Sequence, residues 1–401
     1  MKVAIIGQGY VGLTISAFAG EFFDIVGYDN NQKVVDRLNQ GISHIEGVES
    51  AVLQKWIKAS RYRATTVGSD ISDADIVVIA VPTPLTKDRQ PDMAFIDSAC
   101  KTIGENLKQS ALIINESTSF PGTIRNYIKP AIEKYSGGKL EHLYAISPER
   151  VDPGRGDYNQ KNTPRLYAGL TPEASAKTRE FYSKFCDQLV EVSSPEVAEA
   201  AKLFENTFRQ VNIALVNEFA QITNALGISV YETLDAANTK PYGFMKFTPS
   251  AGVGGHCIPV DPTYLAHVAE ELGVPATFIR RANEVNLEMS KYIVDRVQAD
   301  NGGSLQGKSV LVVGVAYKPN VADTRETAAE LVIEELRIRG AVVAWHDDVV
   351  GQWHGESSSV LGGANITIVV TLHDVVDQKA VLASAPYVFD TTGKVKGAKG
   401  L

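Results

Sequence analysis

Short apolar runs alternate with segments of helical period over the first 190 residues or so. The runs are "KVAIIG" (2–7), "FFDIVGYD" (22–29), "ADIVVIAVP" (74–82), "ALIINEST" (111–118) and "LYAIS" (143–147). A strand wetted on one face alternates apolar and polar residues. These runs are β-branched and nearly continuous in apolar character, which predicts a parallel sheet covered by helices on both faces. The pattern then changes. In "SSPEVAEAAKLFENTFRQVNIALVNEFAQITNALG" the apolar residues Ala201, Phe204, Phe208, Val211, Leu215, Phe219 and Ile222 recur at three- and four-residue steps. Ser194 serves as N-cap, Pro195 as first helical residue and Gly227 as stop, so the segment predicts one helix. Its roughly 32 residues span about 48 Å at 1.5 Å per residue, longer than one small domain needs. Such a helix would join two domains and offer a face to a second subunit, giving a homodimer. A second α/β unit opens at "GKSVLVVGVAYKPN" (307–320) and runs through the helix "AAELVIEELRIRG" and the strands "AVVAWHD", "ITIVVTLH" and "YVFD". "GSDISDADIVVIAVPT" and "GGANITIVVTL" share a plan of small turn then strand, hinting that the two halves share an architecture.

Length and composition agree with several cores. At 401 residues and 44% hydrophobic content the chain exceeds the size at which one core stops growing. The division expected is 1–192, 193–300 and 301–401. A formal net charge of −8 gives no general attraction to nucleic acid or to anionic lipid, so neither is an expected partner. The apolar start is broken by glycines and Gln8 and has no cleavage-site pattern, and no run of 18 apolar residues occurs. Three widely spaced cysteines, Cys100, Cys186 and Cys257, make neither a disulfide framework nor a metal site, and suit a reducing cytoplasm.

"IIGQGYVG" places Gly7, Gly9 and Gly12 in a G-x-G-x-x-G pattern directly after a strand and at the start of an apolar helix. The first glycine permits a tight turn, the second lets backbone approach a pyrophosphate, and the third lets helix and strand pack closely. Asp29 ends the next strand, twenty positions beyond Gly9, where a carboxylate can hold ribose hydroxyls and repel a 2′-phosphate. NAD is therefore the expected cofactor. "VPTP" (81–84) and "ESTS" (116–119) follow the carboxyl ends of later strands, where ligands lie in such sheets.

"GVGGHCIPVDP" (252–262) sets Cys257 in a glycine-rich turn that can leave the sulfur accessible. Cys100 and Cys186 lie in helix-like or apolar surroundings and read as small buried hydrophobes. Beside an NAD site, a thiol can add to an aldehyde and give a hemithioacetal, whose oxidation leaves a thioester for water to cleave. Lys202 and Asn206, four apart on the long helix, share one face and could stabilise an oxyanion. His256 adjoins the thiol, but neighbours in an extended loop point apart, so a Cys–His pair is not favoured.

Seven blocks, "GQGYVGL", "AVPTPLTKDRQPDM", "ESTSFPGT", "SPERVDPGR", "KLFENTFRQVNIALVNEFA", "GVGGHCIPVDPTYL" and "GVAYKPNVADTRE", occur in the order found in the UDP-glucose and UDP-N-acetylhexosamine 6-dehydrogenases, which the chain resembles over essentially its whole length. The resemblance implies two Rossmann-like doubly wound domains joined by the long helix, NAD in the first and UDP in the second. It also implies oxidation of a sugar C6 alcohol to a carboxylate using two NAD. Carried over by motif, Cys257 is the nucleophile, Lys202 and Asn206 stabilise the oxyanion, Asp261 and Thr118 orient the hydrolytic water, and Glu149 is a general acid/base. The cofactor set becomes Gly7, Gly9, Tyr10, Val11, Gly12, Asp29, Lys33, Pro82, Thr83, Ser117, Thr118 and Arg325. The substrate set becomes Glu149, Arg150, Val151, Lys202, Asn206, Phe247, Gly252, Gly254, Tyr317 and Lys318. No metal is implied. The motifs look most like the UDP-N-acetylglucosamine branch, whereas "TPSAGVGG" and Thr392 in "FDTTGKV" depart from the family pattern near the sugar pocket and the UDP. UDP-glucose and UDP-N-acetylmannosamine stay open as substrates. A single-step hydroxyacid or polyol-phosphate dehydrogenase would need no thiol, and a non-catalytic sensor of NAD and nucleotide sugar would need none of the catalytic set.

Overall fold

The computed structural model describes residues 1–45, 47–151, 157–255 and 257–401. It divides into two units, Met1–Glu205 and Asn206–Leu401. The first holds strands β1 (Lys2–Ile6), β2 (Asp24–Tyr28), β3 (Tyr62–Thr65), β4 (Ile76–Ile79), β5 (Leu112–Asn115), β6 (Leu143–Ile146), β7 (Arg165–Gly169) and β8 (Leu189–Glu191). They form one sheet in the order β3-β2-β1-β4-β5-β6-β7-β8. Neighbours run parallel except β6 and β7. Val3 and Ile5 enter one apolar cluster while Ala4 and Ile6 enter another, and Val78 and Val77 divide in the same way. The sheet is thus buried on both faces, which is why its strands read as unbroken apolar runs. The order reverses beside β1, so the carboxyl ends of β1 and β4 open the crevice where doubly wound sheets take ligands.

Three strands of this sheet were not legible as apolar runs. "YRAT", "RLYAG" and "LVE" are short and charged. The first residue of β7, Arg165, is a buried cation that hydropathy would assign to the surface.

The long helix runs from Pro195 to Leu226, with the Ser194 carbonyl accepting from Val197 N at 3.2 Å and Gly227 at φ +70° beyond its end. Its start is tied to the first unit by buried Glu199, whose Oε2 and Oε1 accept from the amides of Gly122 (2.6 Å) and Ile124 (3.1 Å). The unit boundary falls between Glu205 and Asn206, inside this helix.

The second unit contains β9 (Ser309–Val313), β10 (Val342–His346), a short hairpin of β11 (Gln352–Trp353) and β12 (Glu356–Ser357), then β13 (Ile366–Val369), β14 (Tyr387–Asp390) and β15 (Lys399–Gly400). Its main sheet is parallel, ordered β10-β9-β13-β14-β15, and reverses beside β9. Val310 and Val312 face one apolar cluster and Leu311 and Val313 the other.

The hint of a shared architecture holds to atomic detail. After β1, Gly7 has φ +92° and donates to Tyr28 O; after β9, Gly314 has φ +84° and donates to His346 O, both at 2.8 Å. Gln8 N donates to Asp29 Oδ2, and Val315 N donates to Asp347 Oδ2. The copies then diverge. Asp347 is buried, and its carboxylate is consumed by the amides of Val315, Ala316, Val349 and Val350 and by His373 Nε2 at 3.0 Å. His373 Nδ1 accepts from Asn320 N, so the proton sits on Nε2 and the ring donates to Asp347. This carboxylate anchors the loop after β9 and has nothing left for a ribose.

Burial pushes the Asp347 carboxyl up, but His373 and the amides of Val350 and Val349 more than offset it and hold the group at about 2. A carboxyl depressed in the folded state stabilises the fold above its unfolded value and loses that contribution as pH falls through the folded one. Asp347→Asn sets an amide N–H against donors. We expect it to cost about 2–3 kcal/mol at pH 7, roughly 4–10 °C in melting temperature, with the gap to wild type narrowing as pH falls from about 4 to about 2. Equal melting at pH 7 would refute this role.

Candidate active site

The turn from β1 into the helix Tyr10–Ala19 forms a phosphate cradle. A Cβ on Gly12 would collide with the carbonyl oxygen of Gly7, and one on Gly7 with that of Ala80, so both positions require glycine for close packing. Gly9 is exposed and a Cβ there would meet nothing, which leaves its backbone open to an approaching group. Tyr10 and Val11 begin the helix and are half-buried. Asp29 Oδ2 accepts from Gln8 N and Oδ1 from Asn31 N, both at 2.9 Å; each oxygen keeps a lone pair for a ribose hydroxyl. Lys33 lies exposed in the next helix, Gln32–Asn39. These residues fit a dinucleotide with an unphosphorylated ribose.

Two further loops meet beside this cradle. Ser117 Oγ, after β5, donates to Val81 O and accepts from Val81 N, after β4. That pair locks the "VPTP" loop, with exposed Pro82 and buried Thr83, to the "ESTS" loop carrying half-buried Thr118. After β6, Glu149 Oε1 accepts from the amides of Arg150 and Val151, both at 2.6 Å, and Oε2 takes Arg165 Nη2 at 3.0 Å. Arg150 is held by the Glu205 carboxylate, Nη2–Oε1 2.6 Å, and by Pro164 O. Residues 152–156 of "SPERVDPGR" lie outside the described residues. Lys202 is half-buried on the long helix one turn before Asn206.

In the second unit the thiol is exposed, as the turn predicted, while Cys100 and Cys186 are buried. Burial pushes those two thiols up to about 12 and about 11, so neither is a ready thiolate. The Cys257 carbonyl accepts from Asp261 N at 2.8 Å, placing the cysteine in the turn that leads into the helix Asp261–Glu271. A helix N-terminus favours an anion there. Asn206 Nδ2 donates to Asp261 Oδ2 at 2.5 Å, uniting two residues 55 positions apart in the chain. Gly255 N donates to Arg325 O, and a Cβ on Gly255 would strike the Tyr317 ring. Gly254 likewise packs on Tyr317, and Gly252 on Asn286. The thiol loop therefore rests on the loop after β9, where Lys318 Nζ lies 5.7 Å over the Tyr317 ring. Arg325 is paired with Asp323. Phe247 packs edge-on to Phe208 at 5.9 Å, half a turn beyond Asn206 on the long helix. His256 lies outside the described residues.

Sequence reasoning missed several supports. Gln8 is fully buried; Oε1 accepts from Tyr62 and Ser16 hydroxyls while Nε2 donates to Ile5 O and Gly7 O, bracing the glycine turn from beneath. A lone Gln inside a glycine motif was the available signal. Glu116, Arg165 and Tyr182 were also missed, and nothing in their spacing joins them.

The comparisons agree with this layout. Residues 1–186 match the NAD binding domain of the UDP-glucose/GDP-mannose dehydrogenase family, 196–288 its central domain and 311–397 its UDP binding domain. The chain is 36% identical over 342 residues (84% of it, 80% of the relative) to a UDP-N-acetyl-D-glucosamine 6-dehydrogenase of Pseudomonas aeruginosa. It is 33% identical over 383 residues (93% and 90%) to a UDP-N-acetyl-D-mannosamine dehydrogenase of Pyrococcus horikoshii. A solved structure of the Pyrococcus horikoshii UDP-D-ManNAc dehydrogenase superposes with TM-score 0.90 at 30% identity, covering 100% of this chain and 99% of that one. With glycine cradle, ribose carboxylate and thiol loop each in place, the chain belongs to the UDP-glucose/GDP-mannose dehydrogenase family and is an NAD-dependent oxidoreductase with that family's UDP-binding domain.

Proposed function

We propose that the protein oxidises the C6 alcohol of a UDP-N-acetylhexosamine, UDP-N-acetylglucosamine first, to the uronic acid through a thioester on Cys257, and that the product feeds polysaccharide synthesis. The observation that carries the reading is the exposed Cys257 thiol at the entry to a helix, in the unit where Asn206 is bonded to Asp261. A structural cysteine has no reason to lie there; a nucleophile does.

Loss of a hydride and a proton turns the alcohol into an aldehyde. The Cys257 sulfur adds to that carbonyl and forms a C–S bond, giving a hemithioacetal whose oxyanion Lys202 and Asn206 stabilise. Loss of a second hydride and proton leaves the thioester. Water, oriented by Asp261 and Thr118 and deprotonated with help from Glu149, breaks the C–S bond and releases carboxylate and thiol. Two NAD in succession, the first leaving as NADH before the second enters, would accept the two hydrides, each held by Gly7, Gly9, Gly12 and Asp29. Tyr317 and Lys318 would meet the UDP-sugar, Lys318 as a charge-assisted partner for its pyrophosphate.

The sugar is tested with UDP-glucose and the UDP-N-acetyl derivatives of glucosamine, galactosamine and mannosamine, followed by NADH absorbance. We expect kcat/KM for UDP-N-acetylglucosamine to exceed that for UDP-glucose by about tenfold or more, an acetamido group being worth over 1 kcal/mol. Preference for UDP-glucose would overturn the N-acetyl assignment. UDP-N-acetylmannosamine is the second reading, favoured by the likeness to the Pyrococcus horikoshii enzyme. We read the working form as a homodimer, because Phe204, Leu215, Ile222 and Leu226 stand exposed along the long helix. Sedimentation that finds only monomer at micromolar concentration would remove that.

A further inference from the structure

Arg165 opens β7 with its side chain 4% exposed. Burying a guanidinium costs several kcal/mol unless charge and hydrogen bonds compensate it. Here Nη1 lies 2.9 Å from Glu116 Oε1 and 3.0 Å from Ser147 Oγ, and Nη2 lies 3.0 Å from Glu149 Oε2. The guanidinium also stacks 4.5 Å over the Tyr182 ring, whose hydroxyl donates to Glu116 Oε1. One carboxylate would neutralise this cation, yet two reach it.

The two differ in what else they do. Glu149 is the general acid/base of the reading above, and its other oxygen is fixed by its neighbours' amides. Among the described residues, Arg165 is the one distant side chain that the structure places on that carboxylate. Glu116 follows β5, two residues before Thr118, has no exposed side-chain surface, and leaves Oε2 buried without a hydrogen-bond partner. An orphan carboxylate oxygen in a dry site is better protonated than charged. Burial accordingly pushes the Glu116 carboxyl up to about 7, against the pull of Arg165.

We propose that Arg165 is a positioning residue for the reaction, orienting the Glu149 carboxylate with Glu116 and Tyr182 as its buried counterparts, and thereby setting the rate at which water releases the sugar from the enzyme. The proposal rests on the reading of Glu149 and extends it to groups with no contact to the reacting atoms.

The test compares the pre-steady-state NADH burst with steady-state turnover in the full-length protein, for wild type, Glu149→Gln and Arg165→Lys. Glu149→Gln is expected to keep a burst of two NADH per site and to lose about 100-fold or more in the rate that follows, the size of a lost general acid/base. Arg165→Lys keeps the charge but loses the fork that spans both carboxylates. It should show the same pattern, burst intact and subsequent rate down about tenfold or more, with KM falling alongside kcat so that kcat/KM stays within about twofold. If Arg165→Lys does not fold, Tyr182→Phe replaces it: the ring stays under the guanidinium, but Glu116 Oε1 loses the hydroxyl that fixes it, so Arg165 is held less firmly and release slows about threefold or more with the burst intact. Full turnover by Glu149→Gln would sink the reading and the inference together. A release defect in Glu149→Gln that neither of the other variants shares, or an equal loss of burst and turnover in them, would sink the inference alone.

Discussion

Cys257→Ser is expected to form at most one NADH per active site and then stall, with steady-state turnover down by about four orders of magnitude or more. The argument is chemical. The first oxidation yields an aldehyde and makes no demand on sulfur. The second needs the carbonyl converted into a tetrahedral alcohol, and the thiol is what the second unit offers at an exposed turn. A hydroxyl adds less readily at neutral pH, and any ester it forms is cleaved more slowly than a thioester. Cys100 and Cys186 cannot stand in, because both are buried. Steady turnover at the wild-type rate would contradict covalent catalysis.

Gly12→Ala should do smaller but still large damage by a different route. Its Cβ would run into the Gly7 carbonyl, which belongs to backbone fixed between β1 and the helix and has no room to yield. Overpacking costs about 1–3 kcal/mol or more. The strain either destabilises the first unit by that amount or displaces the Gly7 turn and raises KM for NAD by about 10- to 100-fold. Gly9→Ala is the control. Its Cβ meets no protein atom, so melting should stay unchanged while NAD binding weakens by steric conflict with the pyrophosphate. Equal melting and equal KM for both variants and wild type would show that this turn is not the cradle.

These two sites were legible because their signals are local. Asp29 lies a fixed distance beyond Gly9, and the residues around Cys257 declare an open turn by their type. The long helix was legible to its ends, because capping and period are written in consecutive residues. What escaped depends on contacts across the fold. β7 begins with a cation that Glu116 and Glu149, with Ser147 and the Tyr182 ring, make tolerable in a core. Gln8 interrupts an apolar run because its amide meets Tyr62, 54 positions away. Asp347 repeats the position of Asp29, but His373, 26 positions on, and the amides of Val315 and Ala316, 32 and 31 positions back, turn it into a brace. Lys202 and Asn206 could be placed on one helix face, yet the bond from Asn206 to Asp261 joins elements no periodicity relates.

The most direct test counts NADH against uronate formed from UDP-N-acetylglucosamine, while a parallel reaction with hydroxylamine captures any aldehyde set loose as its oxime. The account predicts two NADH for each uronate and no captured aldehyde, since the sulfur retains the carbon between oxidations. One NADH per product, or aldehyde oxime accumulating with turnover, would contradict it.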